Sequence, residues 1–314
     1  MIRAVTCGEA LVLMQPRERG PLDAVRDYTL RVAGAELNVA IGLARLGIPT
    51  AFLGATGDDP FGRLIGKTLA GEGVDVSGLL RLDAPTGLFF KEWYGIGDDP
   101  SVYYYRHGSA GSRWTYQPTP ESHLDQVEWV HTSGITLMVG HESRESALRV
   151  VKNLARQNAL ASFDINLRRK LGAPEKWRIA VEPWLPLWSV VFATEDEIAQ
   201  VWGLHEADAL FTTGLLSSRQ TLIVKRGGRG AWAIVNGERI DVPGVAVSTL
   251  ADPVGAGDGF AAGVIAARLK GLSWSQALAI GNLVGAFAVA HPGDYEGYPT
   301  WAIVERAGTD WITR

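Results

Sequence analysis

Residues 252–263 read Asp252-Pro253-Val254-Gly255-Ala256-Gly257-Asp258-Gly259-Phe260-Ala261-Ala262-Gly263, a glycine-rich turn that leads into an apolar helix. The glycines let the backbone turn tightly and approach a ligand closely. The free N–H groups at the start of the helix point back into the turn, and the helix dipole adds partial positive charge there. We therefore predict an anion site at Gly255, Ala256 and Gly257, with donors placed for a transferring phosphoryl group.

Asp258 stands at the mouth of this predicted anion site. A carboxylate is poorly placed beside a phosphate unless it contacts another group, and the proton of an attacking hydroxyl is such a group. Phosphoryl transfer needs little covalent help, so one positioned carboxylate and an electrostatic cradle suffice. We predict that Asp258 is the general base. A cap of the following helix is the alternative role for the same residue.

The composition limits the class of protein. The chain has 314 residues, of which 46% are hydrophobic and 20% charged, which predicts one large domain with an appended lobe. The formal net charge of -4 lacks the basic excess that a nucleic-acid partner requires. The single cysteine, Cys7, cannot form an internal disulfide. No run of eighteen apolar residues and no secretory signal is present, so we expect a cytoplasmic protein without a membrane partner.

Short β-prone runs alternate with helical segments over most of the chain, which predicts a mainly parallel sheet covered by helices on both faces. The runs lie at 4–13, 50–55, 128–133, 160–164, 189–193 and 221–225. Two apolar helices are predicted at 259–269 and 273–290, and Asn236-Gly237 predicts a tight hairpin.

The alternation of strands and helices breaks between residues 86 and 106. Two strands are predicted there, at 87–94 and 101–106, joined by a cluster of turn residues at 95–100. Residues 27–32 alternate with period two and predict a third strand. These three strands together predict a small antiparallel sheet outside the main fold.

The segment Asp252 to Asp258 resembles the signature of the ribokinase, or phosphofructokinase-B, family of sugar kinases, Asp-Thr-x-Gly-Ala-Gly-Asp. Pro253 replaces the threonine of the family. The resemblance covers nearly the whole chain and implies a ribokinase-like three-layer α/β fold for residues 1–314, with a β lid formed by about 12–32 and 86–110. It also implies ATP and Mg²⁺ as cofactors, a small-molecule substrate, and a homo-oligomer built through the lid.

Ala33-Gly34-Ala35-Glu36-Leu37-Asn38 resembles the first signature of the family, a Gly-Gly followed by asparagine, with Ala33 in place of one glycine. In the family a backbone N–H and an amide side chain at this point bind sugar hydroxyls. The resemblance therefore assigns Gly34 and Asn38 to the substrate. An ordinary helix start is the alternative.

The nucleotide site is assigned by resemblance to four further segments. Thr221 to Gly230 is similar to the strand and glycine loop that border the nucleotide, and Thr194 to Glu197 is similar to an Asn-x-x-Glu motif that holds Mg²⁺. Glu197 is thus the metal candidate, with an acidic helix start as its alternative. The residues assigned to ATP are Asn166, Arg168, Lys225, Gly227, Gly228, Gly230 and Asn282. A helix residue that faces a loop is the alternative for Asn282.

Two arginines indicate an anionic substrate, because guanidinium groups match carboxylates in geometry. Arg106 lies on a predicted strand on the same face as Tyr104, and Arg168 follows a core strand at the edge where parallel sheets place ligands. With Tyr104, they resemble the 2-keto-3-deoxygluconate kinase subgroup. Residues 293–299 resemble the C-terminal stretch of that subgroup, with Asp294 near the substrate or a monovalent cation such as K⁺. Asp252 of the family signature is also assigned to the substrate. The alternative for Arg106 is a surface arginine that stacks on neighbouring tyrosines, and the alternative for Arg168 is a contact to an ATP phosphate.

Three competing functions remain. A kinase for fructose, ribose or a nucleoside would share the fold and the general base. A dinucleotide oxidoreductase would need Gly-x-Gly-x-x-Gly directly after the first strand, and no such run follows residues 4–13. A catalytically silent sugar-binding protein would retain the fold without turnover, yet Asp258 is intact.

Overall fold

A computed structural model describes residues 1–94, 100–117 and 124–312, with side chains as far as residue 307. The predicted turn cluster at 95–100 lies outside these residues except for Pro100. The described strands are β1 (Ala4–Cys7), β2 (Leu11–Pro16), β3 (Tyr28–Ala33), β4 (Thr50–Gly57), β5 (Leu79–Leu82), β6 (Leu88–Glu92), β7 (Ser101–Tyr105), β8 (Trp129–Ser133), β9 (Leu160–Asp164), β10 (Val190–Thr194), β11 (Thr221–Lys225), β12 (Ala231–Val235) and β13 (Glu238–Val242).

Helices connect most of the strands. They are α1 (Ala35–Arg45), α2 (Pro60–Gly71), α3 (Gly134–Val139), α4 (His141–Arg156), α5 (Pro174–Val181), α6 (Glu195–Trp202), α7 (Ala209–Thr212), α8 (Ala256–Leu269), α9 (Trp274–Val289) and α10 (Trp301–Ile312). Short 3-10 turns lie at Gly111–Arg113, Arg169–Leu171, Glu182–Leu187 and Gly227–Arg229.

The large sheet has the strand order β13-β12-β11-β10-β9-β8-β1-β4-β5. Its strands pair in parallel except at β11–β12 and β12–β13, so the mainly parallel sheet predicted from the sequence is confirmed. One apolar cluster packs α1, α8 and α9 against one face, and a second packs α4, α5 and α6 against the other. The result is the predicted ribokinase-like arrangement of three layers.

The small sheet has the order β3-β2-β6-β7. The pairs β2–β3 and β6–β7 are antiparallel, and the central pair β2–β6 is parallel. Its inner face carries an apolar cluster of Leu11, Leu13, Ala33 and Phe89, against which Val102 and Tyr104 pack. The three strands predicted for this sheet are in it, and β2 joins them as a fourth strand, which brings in the parallel pair.

Three differences from the prediction change how the elements are assigned. The run 4–13 is two strands in two different sheets, because the charged Glu9 interrupts the apolar pattern and its buried side chain pairs with Arg106. β5 has no predicted counterpart, since it is only four residues long and none of its residues is buried. Helix α8 begins at Ala256 and not at Gly259, so Asp258 lies within the first helical turn.

The hairpin prediction at Asn236-Gly237 is correct. Both residues have positive φ angles, 52° and 82°, as a type I′ turn requires. Among the residues that the structure describes, none of the helices combines the length and the apolar character needed to cross a bilayer.

Candidate active site

A cavity of about 620 Å³ lies at the carboxyl ends of β9, β10 and β11, beneath the small sheet and beside the starts of α1 and α8. Open parallel sheets place their ligands at this edge. Most of the residues predicted for the site line it. They are Gly34, Asn38, Tyr104, Arg106, Asn166, Arg168, Glu197, Lys225, Gly227, Gly255, Gly257, Asp258 and Asp294.

Asp258 faces this cavity from the first turn of α8. Its two carboxylate oxygens accept hydrogen bonds from the side-chain amides of Asn38 at 2.8 Å and Asn166 at 3.3 Å. Burial raises the pKa of Asp258 to about 7, and the hydrogen bond from Asn38 opposes that rise. No side-chain cap is present at the start of α8, whose N-cap residue is Gly255. Asp258 is therefore not the helix cap that the alternative required.

The contact between Asn38 and Asp258 depends on a close approach of two helices. Gly42 lies one turn beyond Asn38 on α1, and Ala262 lies one turn beyond Asp258 on α8. A Cβ atom at Gly42 would lie 2.6 Å from the Cβ of Ala262. Only glycine allows this approach, so Gly42 sets the distance at which the amide meets the carboxylate.

Asn38 also offers an unused acceptor. The residue is 1% exposed, and its Oδ1 has no hydrogen-bond partner among the described residues. A buried amide oxygen without a partner costs free energy, which a hydroxyl donor from a ligand in the cavity would recover. Asn38 therefore combines a donor to Asp258 with an acceptor suited to a sugar hydroxyl.

The predicted anion loop has the expected geometry. Gly255 has φ +84°, in the left-handed region, and α8 starts directly after it. A Cβ at Gly255 would lie 1.9 Å from the backbone oxygen of Asp294, so the loop is pressed against that segment. The N–H of Ala256 bonds the Pro253 oxygen at 3.4 Å, whereas those of Gly257 and Asp258 have no partner among the described residues and are available to an anion.

A largely buried lysine, whose side chain is 12% exposed, supplies positive charge beside this loop. The Nζ atom of Lys225 would lie 3.4 Å from a Cβ at Gly257, and it bonds the carboxylate of Asp164 at 2.5 Å. Burial lowers the pKa of Lys225, but Asp164 and the other nearby carboxylates outweigh it and hold the pKa above its ordinary value. The ammonium therefore stays charged next to the place where a phosphate would bind.

Glu197 lines the cavity and also starts α6. Its carboxylate accepts hydrogen bonds from the backbone N–H groups of Leu167 at 2.9 Å and Thr194 at 2.8 Å. The bond from Thr194 completes a capping box. Over the described residues, no three His, Cys, Asp or Glu side chains come together as a metal cage. Mg²⁺ in nucleotide sites is held by one or two carboxylates and the substrate phosphates. The donor set around Glu197 fits an ion held in that way.

The two predicted arginines differ in their pairing. Arg106 is buried, and its guanidinium bonds the carboxylate of Glu9 and stacks over Tyr104 at 5.3 Å. Arg168 is exposed, lines the cavity and makes no ion pair within the described part of the chain. The two arginines do reach one cavity as predicted, but only Arg168 offers an unpaired charge.

The carboxylates of Asp252 and Asp294 share one ammonium, that of Lys91 on β6. The Nζ atom lies 2.8 Å from Asp252 Oδ2 and 2.7 Å from Asp294 Oδ1, and the lysine side chain is fully buried. The sequence predicted a monovalent cation near Asp294. The ammonium of Lys91 already occupies the space between these carboxylates, so they do not fit a bound K⁺.

Five predicted residues lie outside the lining of the cavity, namely Ala256, Asp252, Gly228, Gly230 and Asn282. The amide of Asn282 donates to the backbone oxygens of Val242 and Pro243 at 3.4 and 3.0 Å. The alternative interpretation, a helix residue that faces a loop, describes this contact.

Sequence reasoning missed Glu9, Asp164 and Lys91 as site residues. Glu9 and Asp164 each lie at the carboxyl end of a parallel strand, which was a usable signal. Lys91 follows Phe89 by two residues and so points to the same face of its strand as that cavity-lining aromatic ring. A lysine on an inward face was the signal for a buried ion pair.

A model of the pfkB family carbohydrate kinases matches residues 1–301. The 2-dehydro-3-deoxygluconokinase of Bacillus subtilis (strain 168) is 34% identical over 300 residues, covering 95% of this chain and 92% of the relative. The protein of the same name from Thermoproteus tenax is 32% identical over 312 residues, covering 96% and 92%. A fructokinase of Klebsiella pneumoniae is 31% identical over 278 residues, covering 85% and 88%.

Solved structures share the whole fold. A PfkB protein from Polaromonas sp. JS666 has a TM-score of 0.84 at 33% identity, covering 97% of this chain and 99% of that one. A putative ribokinase II from E. coli in complex with ATP and Mg²⁺ has a TM-score of 0.87 at 26% identity, covering 99% and 100%. A fructokinase double mutant from Vibrio cholerae O395 in a fructose-, ADP- and potassium-bound form has a TM-score of 0.82 at 26% identity, covering 98% of each chain.

Proposed function

We propose, since this chain belongs to the pfkB family of carbohydrate kinases, that it phosphorylates the terminal hydroxyl of 2-keto-3-deoxygluconate (2-dehydro-3-deoxygluconate) with ATP. The product is 2-keto-3-deoxy-6-phosphogluconate. The observation that supports phosphoryl transfer is the position of Asp258. Its carboxylate faces the cavity at the start of α8, beside N–H groups that suit a phosphoryl group.

Asp258 acts as the general base in this proposal. The proton of the substrate hydroxyl passes to its carboxylate, and the oxygen forms a bond to the γ-phosphorus as the bond to the ADP oxygen breaks. The N–H groups of Gly255, Ala256 and Gly257 stabilise the charge on the phosphoryl oxygens, for which that of Ala256 must give up its 3.4 Å bond to the Pro253 oxygen. Asn38 donates a hydrogen bond to Asp258 and, through its unpaired Oδ1, accepts a hydrogen bond from a second hydroxyl of the sugar.

The nucleotide phosphates would lie between the α8 loop and Lys225, with Gly227 and Asn166 at the edge of the same space. Glu197 would hold Mg²⁺, which supplies neutralisation of phosphate charge when bound. The small sheet would act as a lid that excludes water from the activated phosphate. Lys170 supports this role, because its ammonium bonds the backbone oxygen of Val102 on β7 and so links the main domain to the small sheet.

Arg168 is the proposed partner of the substrate carboxylate. Of the two arginines predicted for the substrate, it is the one without an ion pair among the described residues, whereas the charge of Arg106 is already neutralised by Glu9. The two 2-dehydro-3-deoxygluconokinases above support a sugar-acid substrate. The Klebsiella fructokinase, at 31% identity, favours fructose as the second candidate.

A coupled ADP-release assay tests the proposal. The panel contains 2-keto-3-deoxygluconate, its galactonate-derived epimer, fructose, ribose and adenosine. We expect the highest kcat/KM with one of the two keto acids. A higher kcat/KM with fructose would replace the proposed substrate, and sugar binding without turnover of any compound would indicate a silent binding protein.

Arg168→Ala is expected to raise KM for the keto acid by about 10- to 100-fold, because it removes charge-assisted hydrogen bonds to a carboxylate. KM for ATP and turnover of any neutral sugar should change much less. Steady-state kinetics with both substrates measures the difference. Arg169→Ala is the matched control, since Arg169 lines the same cavity but bonds Gln200. An equal rise in KM for ATP would assign Arg168 to the nucleotide instead.

The pH dependence should report Asp258. Burial raises the pKa of this carboxyl to about 7, and a general base must be ionised. We therefore expect kcat/KM to fall about tenfold per pH unit below pH 7. A ¹³C-carboxyl NMR titration without nucleotide, assigned with the Asp258→Asn spectrum, measures the pKa directly. A carboxyl that stays ionised down to pH 5 would contradict this assignment.

The oligomeric state and location are also proposals. The small sheet carries exposed Leu30, Tyr103 and Tyr105, which supports pairing of two subunits through the lid. We expect a homo-oligomer by light scattering, and a cytoplasmic location where ATP is supplied.

A further inference from the structure

The loop that leads into α8, residues 252–257, is the predicted anion loop and is called the phosphate loop below. The Lys91 side chain extends from the small sheet to this loop and ends between two carboxylates. Its Nζ atom donates to Asp252 at 2.8 Å and to Asp294 at 2.7 Å. The lysine and Asp252 side chains are fully buried, and that of Asp294 is 5% exposed. The ammonium is therefore closed off from solvent and from exchange with free ions.

These two carboxylates hold the two sides of the phosphate loop. Asp252 Oδ1 accepts the N–H of Val254 at 3.0 Å, within the loop itself. Asp252 Oδ2 also accepts the N–H of Gly293 at 3.4 Å, on the neighbouring segment. The backbone of Asp294 lies against Gly255, where an added Cβ would be 1.9 Å from its oxygen. The position of the N–H groups at the start of α8 therefore depends on this cluster.

The cluster requires a cation. Two buried carboxylates beside a loop that binds phosphate would repel each other and the ligand, and a buried charge without a partner is strongly unfavourable. Burial lowers the pKa of Lys91, yet the two carboxylates outweigh it and keep the pKa above its usual value. An ammonium and a potassium ion carry the same charge and have similar ionic size, and one relative was solved with potassium bound.

We propose that Lys91 is a built-in cation that replaces a bound potassium ion beside the phosphate loop, so that nucleotide binding and phosphoryl transfer in this chain are independent of monovalent cations. Lys91 is a positioning residue, because it acts on the loop through Asp252 and Asp294. The inference rests on the kinase activity of the family and not on the choice of sugar acid. Binding of ADP tests it without any sugar substrate, so a wrong substrate assignment leaves the test intact.

The first experiment compares the unaltered protein in potassium chloride and tetramethylammonium chloride at equal ionic strength. The measurements are ADP affinity by calorimetry, Tm, and turnover of whichever sugar is phosphorylated. We expect each affinity and rate to differ by less than about twofold, since an ion that does not bind the folded state shifts nothing. Stimulation of ADP binding or turnover by potassium of about tenfold or more would overturn the proposal.

Two variants distinguish the effect of the lost ammonium charge from the effect of the lost side-chain volume at position 91. Lys91→Ala removes the ammonium and leaves room for an ion, whereas Lys91→Met fills the space without charge. In tetramethylammonium both should bind ADP about tenfold or more weakly, because two carboxylates lose their partner. Potassium should restore ADP affinity and raise Tm for Lys91→Ala alone. Lys67→Ala, at an exposed position of α2, is the control for loss of a lysine.

The remaining outcomes also decide the matter. A folded Lys91→Ala protein with unchanged ADP affinity in tetramethylammonium would overturn the positioning role. A loss of affinity that potassium restores equally in both variants, or in neither, would overturn the replacement of an ion. If both variants fail to fold, the comparison on the unaltered protein alone gives the answer.

Discussion

Replacement of Asp258 by asparagine should lower kcat by about 10²- to 10⁴-fold, the contribution of a positioned general base. The reason is geometric, since Asp258 is the carboxylate that faces the cavity from the phosphate loop, held by Asn38 at 2.8 Å and Asn166 at 3.3 Å. Asparagine keeps the size of the side chain but accepts no proton. Affinities for ADP and the sugar should change little, and steady-state kinetics with calorimetry measures both.

The same substitution should also stabilise the folded protein at alkaline pH. The pKa of Asp258 is raised from its ordinary 3.8 to about 7 in the folded protein. Above pH 7 the buried carboxylate is ionised, and this lowers the free energy of unfolding. An asparagine removes this cost, by about 1–4 kcal/mol at pH 8, and the gain should disappear as the pH falls through 7 towards 4. Urea unfolding at several pH values measures it.

Asp58→Asn is the control for both effects, because its side chain is 79% exposed and lies away from the cavity lining. It should change neither turnover nor the pH dependence of stability. An Asp258→Asn enzyme with the turnover of the unaltered protein would show that another group takes the proton.

Gly255→Ala is expected to have the second large effect, a loss of kcat/KM of about 10²-fold or more, comparable to removal of one donor to a developing charge. The φ angle of +84° costs a side chain about 1–2 kcal/mol. The new Cβ would also lie 1.9 Å from the backbone oxygen of Asp294, so the loop or that segment must move. With overpacking included, we expect a total loss of about 2–4 kcal/mol in the free energy of unfolding.

Gly271→Ala separates the two causes. Gly271 has nearly the same φ, +81°, but an added Cβ would meet nothing within 4 Å. It should lose only the about 1–2 kcal/mol of the left-handed conformation and keep full activity. Equal losses of stability and activity in both variants would mean that the contact with Asp294 does not hold the loop.

Much of the fold was predictable because its signals are local. The alternation of apolar strands and helices gave the parallel sheet, and Asn236-Gly237 gave a hairpin whose φ angles, 52° and 82°, agree with it. Errors arose where one run serves two sheets, as at Glu9, and where a strand is short and has no buried residue, as in Leu79–Leu82. Periodicity reports which face is buried and carries no information on which sheet buries it.

The sequence by itself determined the glycine turn, the helix that follows it and the acid at position 258, since backbone freedom and helix polarity are properties of neighbouring residues. Only the tertiary structure decided which polar side chains meet: the amide of Asn38 with Asp258, Glu9 with Arg106, and Lys91 with Asp252 and Asp294. These partners are separated by 97 to 220 residues along the chain. A charge in water has no preferred partner, and burial in one fold fixes which opposite charge lies within reach.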